Sequence, residues 1–168
     1  PDGTIKNSRI YNDNGVLISE GIVNEEGNRK GAWKDYYAGG AVIAEGTYTD
    51  SRRTGIWKFY NSSGRLEQAG PYINGRIDGT WRWYYPDGEL LREEDYYQGR
   101  RDGTYTEFTR TGEIIAQGAY AEGERNGEWK ITSGDNTEEG VYLLGLRDGE
   151  WKSWYPNGKL RFKGDYKQ

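Results

Sequence analysis

Residues 79–105 read GTWRWYYPDGELLREEDYYQGRRDGTY. The stretch opens on Gly79-Thr80-Trp81 and closes on Gly103-Thr104-Tyr105, and the two openings are 24 residues apart. The same rhythm runs through the chain. Gly-x-Trp recurs at Gly31-Ala32-Trp33, Gly55-Ile56-Trp57, Gly127-Glu128-Trp129 and Gly149-Glu150-Trp151. A second glycine follows seven residues after the aromatic, at Gly40, Gly64, Gly88, Gly112 and Gly158. A third column lies six residues further on, at Gly46, Gly70, Gly118 and Gly164, with Gly140 in a shortened unit. A Tyr column comes two residues later: Tyr48, Tyr72, Tyr96, Tyr120, Tyr142 and Tyr166. Four columns held in register identify an array of supersecondary units.

Each unit predicts a β-hairpin. One strand runs from the second glycine to the Tyr. Along it, an aliphatic (Leu17, Val42, Leu66, Leu90, Ile114, Leu160), the third glycine and the Tyr fall at even offsets. Even offsets share one face of a period-two strand. The other strand is expected to start at Gly-x-Trp. Asn14-Gly15, Asp78-Gly79, Asp87-Gly88, Asp102-Gly103, Asn126-Gly127, Asp148-Gly149 and Asn157-Gly158 read as turns, because such pairs supply the positive φ of tight hairpins. The unit containing 131–140 is two residues short, a change that preserves strand alternation. A glycine among large side chains leaves room for a ring to lie on the backbone. The Trp of one strand is therefore expected to cover the glycine of its neighbour. In the fourth unit Glu94 replaces that glycine and Tyr105 replaces the Trp, as a packed pair would if both partners changed together. The N-terminal unit is partial or degenerate. Pro1-Asp2-Gly3 reads as a turn, and Ser8 stands in a Trp slot.

The fold class is therefore all-β: serial antiparallel hairpins forming an elongated, twisted sheet or β-rod. One repeat array of six to seven units of about 24 residues is expected over 1–168. A hairpin alone buries too little to be stable, so the units must stack on one another.

Composition narrows the function. The chain has 26 Gly, 15 Tyr and 7 Trp, but only 33% hydrophobic residues. A formal charge of −4 argues against nucleic acid as a partner. The absence of Cys and His removes disulfides, thiolate metal sites and the commonest general base. No apolar run is long enough for a transmembrane segment. No catalytic, cofactor or metal site is expected. Ser133, Asp135 and Glu138 read as loop residues, and phosphate-binding glycine motifs do not occur. The start at Pro1 and the lack of Cys favour the cell envelope or secretion as location.

The segments 79–105 and GEWKSWYPNGKLRFKGDYKQ (149–168) resemble the MORN-type repeat, in its longer bacterial variant with an antitoxin-like label. The resemblance implies serial hairpins and a non-enzymatic scaffold or protein-interaction module, sometimes associated with membranes. Three surface readings accompany it. The Trp column forms an aromatic core. An Arg/Lys row at the hairpin tips (Arg29, Lys30, Arg52, Arg53, Arg76, Arg100, Arg101, Arg125, Arg147) forms a solvated rim. The second aromatic column, three residues after the Trp, falls on the opposite face and offers a candidate binding surface: Tyr36, Tyr60, Tyr84, Phe108 and Trp154. Trp83 and Tyr85 add to it in the most aromatic unit. The partner is expected to be another protein. A glycan or cell-wall polymer bound by the aromatic ladder is the alternative.

Overall fold

The computed structural model describes residues 6–167; Pro1-Asp2-Gly3 lies outside them. The described chain is entirely strand and turn. Its contacts divide it into two compact units, Pro1–Gly88 and Glu89–Gln168. The first holds β1 (Lys6–Tyr11), β2 (Leu17–Val23), β3 (Arg29–Tyr36), β4 (Val42–Thr49), β5 (Arg52–Tyr60), β6 (Leu66–Ile73), β7 (Arg76–Ile77) and β8 (Gly79–Tyr84). The second holds β9 (Leu90–Tyr97), β10 (Arg100–Phe108), β11 (Ile114–Ala121), β12 (Glu124–Ser133), β13 (Asn136–Leu143), β14 (Leu146–Trp154) and β15 (Leu160–Tyr166). Within each unit, consecutive strands pair antiparallel, as serial hairpins require.

Two kinds of turn alternate. At the second glycine the chain makes a longer loop, as at Asn61–Arg65. There Gly64 N–H donates to the Asn61 carbonyl and Gly64 takes a positive φ. Asp87-Gly88 and Asn157-Gly158 lie in loops of this kind. At the opposite end the loops have two residues, both left-handed: Asn74-Gly75, Gln98-Gly99, Glu122-Gly123 and Leu144-Gly145. That is the conformation whose twist matches flanking strands. These short turns come before the Gly-x-Trp motif.

Asp102-Gly103, Asn126-Gly127 and Asp148-Gly149 are therefore not turns: they lie inside β10, β12 and β14. Their positive-φ glycines sit at register shifts, as bulge glycines do. Asp78-Gly79 is likewise no hairpin turn but the break between β7 and β8. Opposite it stands Pro71, which has no N–H to continue the ladder; its carbonyl instead accepts from Asp78 N–H. In the shortened unit, Ser133 pairs with Asn136 across a two-residue turn. Ser133 and Glu138 are thus strand residues, and the deletion exchanges a long loop for a tight one in the same register.

The Trp column is the core. Trp33, Trp57, Trp81, Trp129 and Trp151 are buried, and Trp57 is 0% exposed. Each ring lies over the glycine of the preceding strand. A Cβ added at Gly46 would stand 2.3 Å from Trp57, and one at Gly140 2.3 Å from Trp151. Each indole N–H donates to the carbonyl just after that glycine, as Trp57 does to Thr47 at 3.1 Å and Trp129 to Ala119 at 3.0 Å. Tyr rings stand edge-on between the indoles, with Tyr48–Trp57 at 5.1 Å and Tyr142–Trp151 at 5.0 Å. This is the favoured geometry for two aromatic quadrupoles.

Two expectations change here. The aliphatic column does not share the core: Ile114 and Leu160 are 51% and 53% exposed. A bulge just after this position breaks the even-offset rule, as between Asp35 and Tyr36 on the partner strand. The residue two further on takes the buried place, as Ala44 and Ala116 do. The tip cations are also not simply a solvated rim. Arg29, Arg53, Arg125 and Arg147 lay their guanidinium groups over Trp33, Trp57, Trp129 and Trp151 at 4.3, 4.3, 4.5 and 4.1 Å. The same groups donate to the next Tyr hydroxyl, as Arg125 does to Tyr142 at 3.1 Å. These arginines cap the aromatic stack, a use for which planar, weakly hydrated guanidinium is suited. Arg52, Arg76 and Arg100 stay exposed.

Candidate functional site

The face opposite the indoles carries a row of charges. Residues directly following each Trp and directly preceding each glycine meet across the strands. In the first unit the pairs run Arg9–Glu20, Glu20–Lys34, Lys34–Glu45 and Glu45–Lys58. In the second they run Gln117–Lys130, Lys130–Glu139, Glu139–Lys152 and Lys152–Lys163. Opposite charges directly across a strand pair stabilise modestly. Arg9 reaches Glu20 at 3.2 Å and Lys34 reaches Glu45 at 3.5 Å.

Tyr36 and Tyr60 share this face, as their odd spacing from the Trp requires. Tyr36 donates its hydroxyl to Glu20 at 2.6 Å, and Tyr60 donates to Glu45 at 2.7 Å. The bonds act on both partners. Each carboxylate is held below its usual range, first by the Tyr hydroxyl. The Tyr36 phenol is pushed up to about 12, first by its bond to Glu20. The Tyr60 phenol is pushed up to about 12, first by burial and then by Glu45. These rings are half-buried and fixed in orientation.

The other candidate residues divide. Tyr84 lines a shallow depression with Arg65, Leu66 and Pro86. Trp154 lines one with Lys130, Thr137 and Glu139, on the charged face. A neighbouring groove of about 630 Å³ is bordered by Glu128, Lys130, Glu139, Glu150 and Lys152. Trp83 instead joins the indole face, 6.1 Å from Trp81. Tyr85 and Phe108 are half-buried at strand ends. The candidate set thus falls into Tyr36, Tyr60, Trp83, Tyr84 and Tyr85 in the first unit and Phe108 and Trp154 in the second.

The charge row escaped attention when the chain was read for aromatics. Its signal was in plain view: Lys34, Lys58, Arg82, Lys130 and Lys152 each directly follow a Trp.

Glu150 bridges this face, paired with Lys152 and with Lys163 at 2.7 Å. Those hydrogen bonds, Lys152 first, lower its carboxyl to about 2. The contribution of these pairs is present above the model carboxyl value of 4.5 and is lost as pH falls toward about 2. A carboxyl-resolved NMR titration should find Glu150 among the last carboxyls to protonate. An ordinary midpoint for Glu150 would contradict the pairing.

Among the described residues, no group of three or more Asp and Glu is arranged to hold a metal ion. No helix is long and apolar enough to cross a membrane. A family model described as the MORN repeat variant matches residues 53–74, 77–98 and 147–168. Comparison with curated proteins gives no match. Among solved structures, the wild-type TCP10 domain of Danio rerio CPAP, in complex with a peptide of Danio rerio STIL, is 13% identical. That match covers 96% of this chain and 100% of the other, with a TM-score of 0.21, too low to carry an argument about fold or function. The matched segments share their columns, turns and indole-over-glycine packing with the other hairpins, and this chain is a MORN-type repeat protein.

Proposed function

We propose that the chain is a non-enzymatic scaffold that binds another protein, and that 1–168 acts as one array. The observation supporting this reading is the charged face. Each hairpin repeats the same pattern of Lys, Glu and half-buried aromatic, at two strand spacings or roughly 10 Å. A periodic, shallow, mixed-charge surface suits an extended polypeptide partner. Charge placement there sets register and specificity more than raw affinity. The groove beside Trp154 and the depression at Tyr84 supply apolar anchors for such a partner.

The test is cross-linking capture in native extract, with wild type beside Lys130→Glu plus Lys152→Glu and beside Tyr60→Ala plus Tyr84→Ala. A specific protein retained by wild type and lost from the charge-reversed variant supports the scaffold reading. Enrichment of a defined glycan, lost on the paired Tyr substitutions while the fold is kept, replaces it with the carbohydrate reading. Partner capture indifferent to both variants removes the charged face from consideration.

A further inference from the structure

In each of the five glycine slots that a following hairpin covers, the ring comes from a Trp. Gly21, Gly46, Gly70, Gly118 and Gly140 lie under Trp33, Trp57, Trp81, Trp129 and Trp151. Gly164 is the last of the column, and no later strand is described beyond it. Its slot is filled differently. Phe162, two residues earlier on the same strand, folds back so that a Cβ at Gly164 would stand 2.6 Å from its Cζ. At Phe162's position the other strands carry Ser19, Ala44, Gln68, Arg92 and Ala116.

The other end of the array shows the reciprocal change. β1 is a strand of the Trp-bearing type, because Ser8 pairs with Gly21 exactly as the Trp of a first hairpin strand pairs with the glycine of its second: Trp33 with Gly46, Trp57 with Gly70. The ring of such a strand covers the glycine of the strand before it. β1 has Ser8 in that slot, so it brings no ring. A strand ending in a glycine already covered by its own Phe, and a strand whose covering residue is small, are complementary. A Trp at position 8 would collide with Phe162; a Ser does not.

We infer that β15 of one copy pairs antiparallel with β1 of a second copy, Gly164 opposite Ser8, extending the hairpin register across a head-to-tail contact. Among the described residues, β15 pairs only with β14 and β1 only with β2, so each leaves one edge of backbone donors and acceptors open. In this register Phe162 faces Ile10 on the indole side. These residues are 44% and 38% exposed, and Leu160 and Tyr11 beside them are 53% and 52% exposed. Apolar side chains on both edges thus meet one another. On the charged side Lys163 faces Arg9. Each cation keeps its own carboxylate, Glu150 at 2.7 Å and Glu20 at 3.2 Å. Two like charges at the seam oppose association, and salt screens them.

The contact is heterologous, with different surfaces meeting, so one intact edge of each kind suffices for a dimer. Sedimentation velocity on the 168-residue chain should show mass rising with concentration, and more steeply at higher salt. Ile10→Lys removes one edge and Phe162→Lys the other. Each variant alone should run as a monomer, and their equimolar mixture should stop at a dimer. Ser8→Trp should lose association, and Ser8→Trp combined with Phe162→Ala should regain it, because that pair restores the Trp-over-Gly arrangement of the array. Far-UV circular dichroism on each variant confirms that the fold is kept. A monomeric wild type at every concentration overturns the inference. So does association that survives both edge substitutions, or a mixture of the two Lys variants that stays monomeric.

Discussion

Trp57→Ala is expected to remove about 3–5 kcal/mol of stability, the range for emptying a buried Trp site. The size follows from how many contacts converge there. The side chain is 0% exposed. Its ring meets Tyr48 at 5.1 Å, Phe59 at 6.1 Å and Tyr72 at 6.2 Å, and Arg53 lies 4.3 Å above it. The truncation also leaves the Thr47 carbonyl without its indole donor and uncovers the backbone of Gly46. The neighbouring rings rest on the same indole, so they cannot close the gap without leaving their own slots. Urea denaturation followed by circular dichroism measures the loss. Lys58→Ala, the next residue but on the charged face, should stay within about half a kcal/mol of wild type. A Trp57→Ala cost under 1 kcal/mol would sink the assignment of the indoles to the core. Gly46→Ala tests the same packing from the other side. The added methyl would overlap the ring at 2.3 Å, so it should be costly in wild type and nearly silent once Trp57 is Ala.

The repeat columns made the hairpins legible because they record packing directly. A glycine is needed where an indole lies on the backbone, and a Tyr where an edge must fit between indoles. Gly140 and Trp151 kept that relation even through the two-residue deletion. The turn assignments failed for a specific reason. Asn-Gly and Asp-Gly pairs signal positive φ, and a bulge glycine needs positive φ as much as a hairpin does. Gly127 at φ 76 and Gly15 at φ 76 are indistinguishable locally, although one lies within a strand and the other in a loop. Leu144-Gly145 went unread as a turn because leucine rarely adopts φ 49. The bulges then misplaced the aliphatic column, since one extra residue exchanges the two faces. Arg53 was misread because its position suggests a tip, while its side chain reaches back along the strand to Trp57. The candidate surface was legible only in part. Odd spacing placed Tyr36 and Tyr60 on the right face, but no sequence rule announced that Glu20 and Glu45 would engage their hydroxyls.

The fourth repeat offers the sharpest test of how such an array tolerates change. Glu94 is 1% exposed and sits opposite Tyr105, in the slot where the neighbours place glycine against an indole. Its carboxylate is held by Arg92 at 3.0 Å, by Arg101 at 3.2 Å and by the Tyr96 hydroxyl at 2.6 Å. Tyr105 turns its own hydroxyl to Glu107 at 2.7 Å. Removing the acid alone breaks a buried charge cluster. Glu94→Ala should therefore cost about 2–3 kcal/mol, below the usual toll for a fully buried pair because both arginines retain access to water. Tyr105→Trp alone should also be costly, since the larger ring meets a carboxylate where its counterparts meet bare backbone. The two changes together, Glu94→Gly with Tyr105→Trp, recreate the arrangement at Gly118 and Trp129. Arg101 occupies the position from which Arg125 stacks on its indole, so it is placed to cap the new ring. Replacing a buried ionic cluster with a well-packed apolar one is often neutral or stabilising. The double variant is thus expected to match or exceed wild-type stability, with a favourable coupling of about 2–3 kcal/mol between the two sites. Adding Arg92→Ala supplies the small residue found at Ala44 and Ala116 and should raise stability further. If the two single costs simply add in the double variant, residues 94 and 105 are not one packing unit, and the exchange of Gly–Trp for Glu–Tyr has no common physical cause.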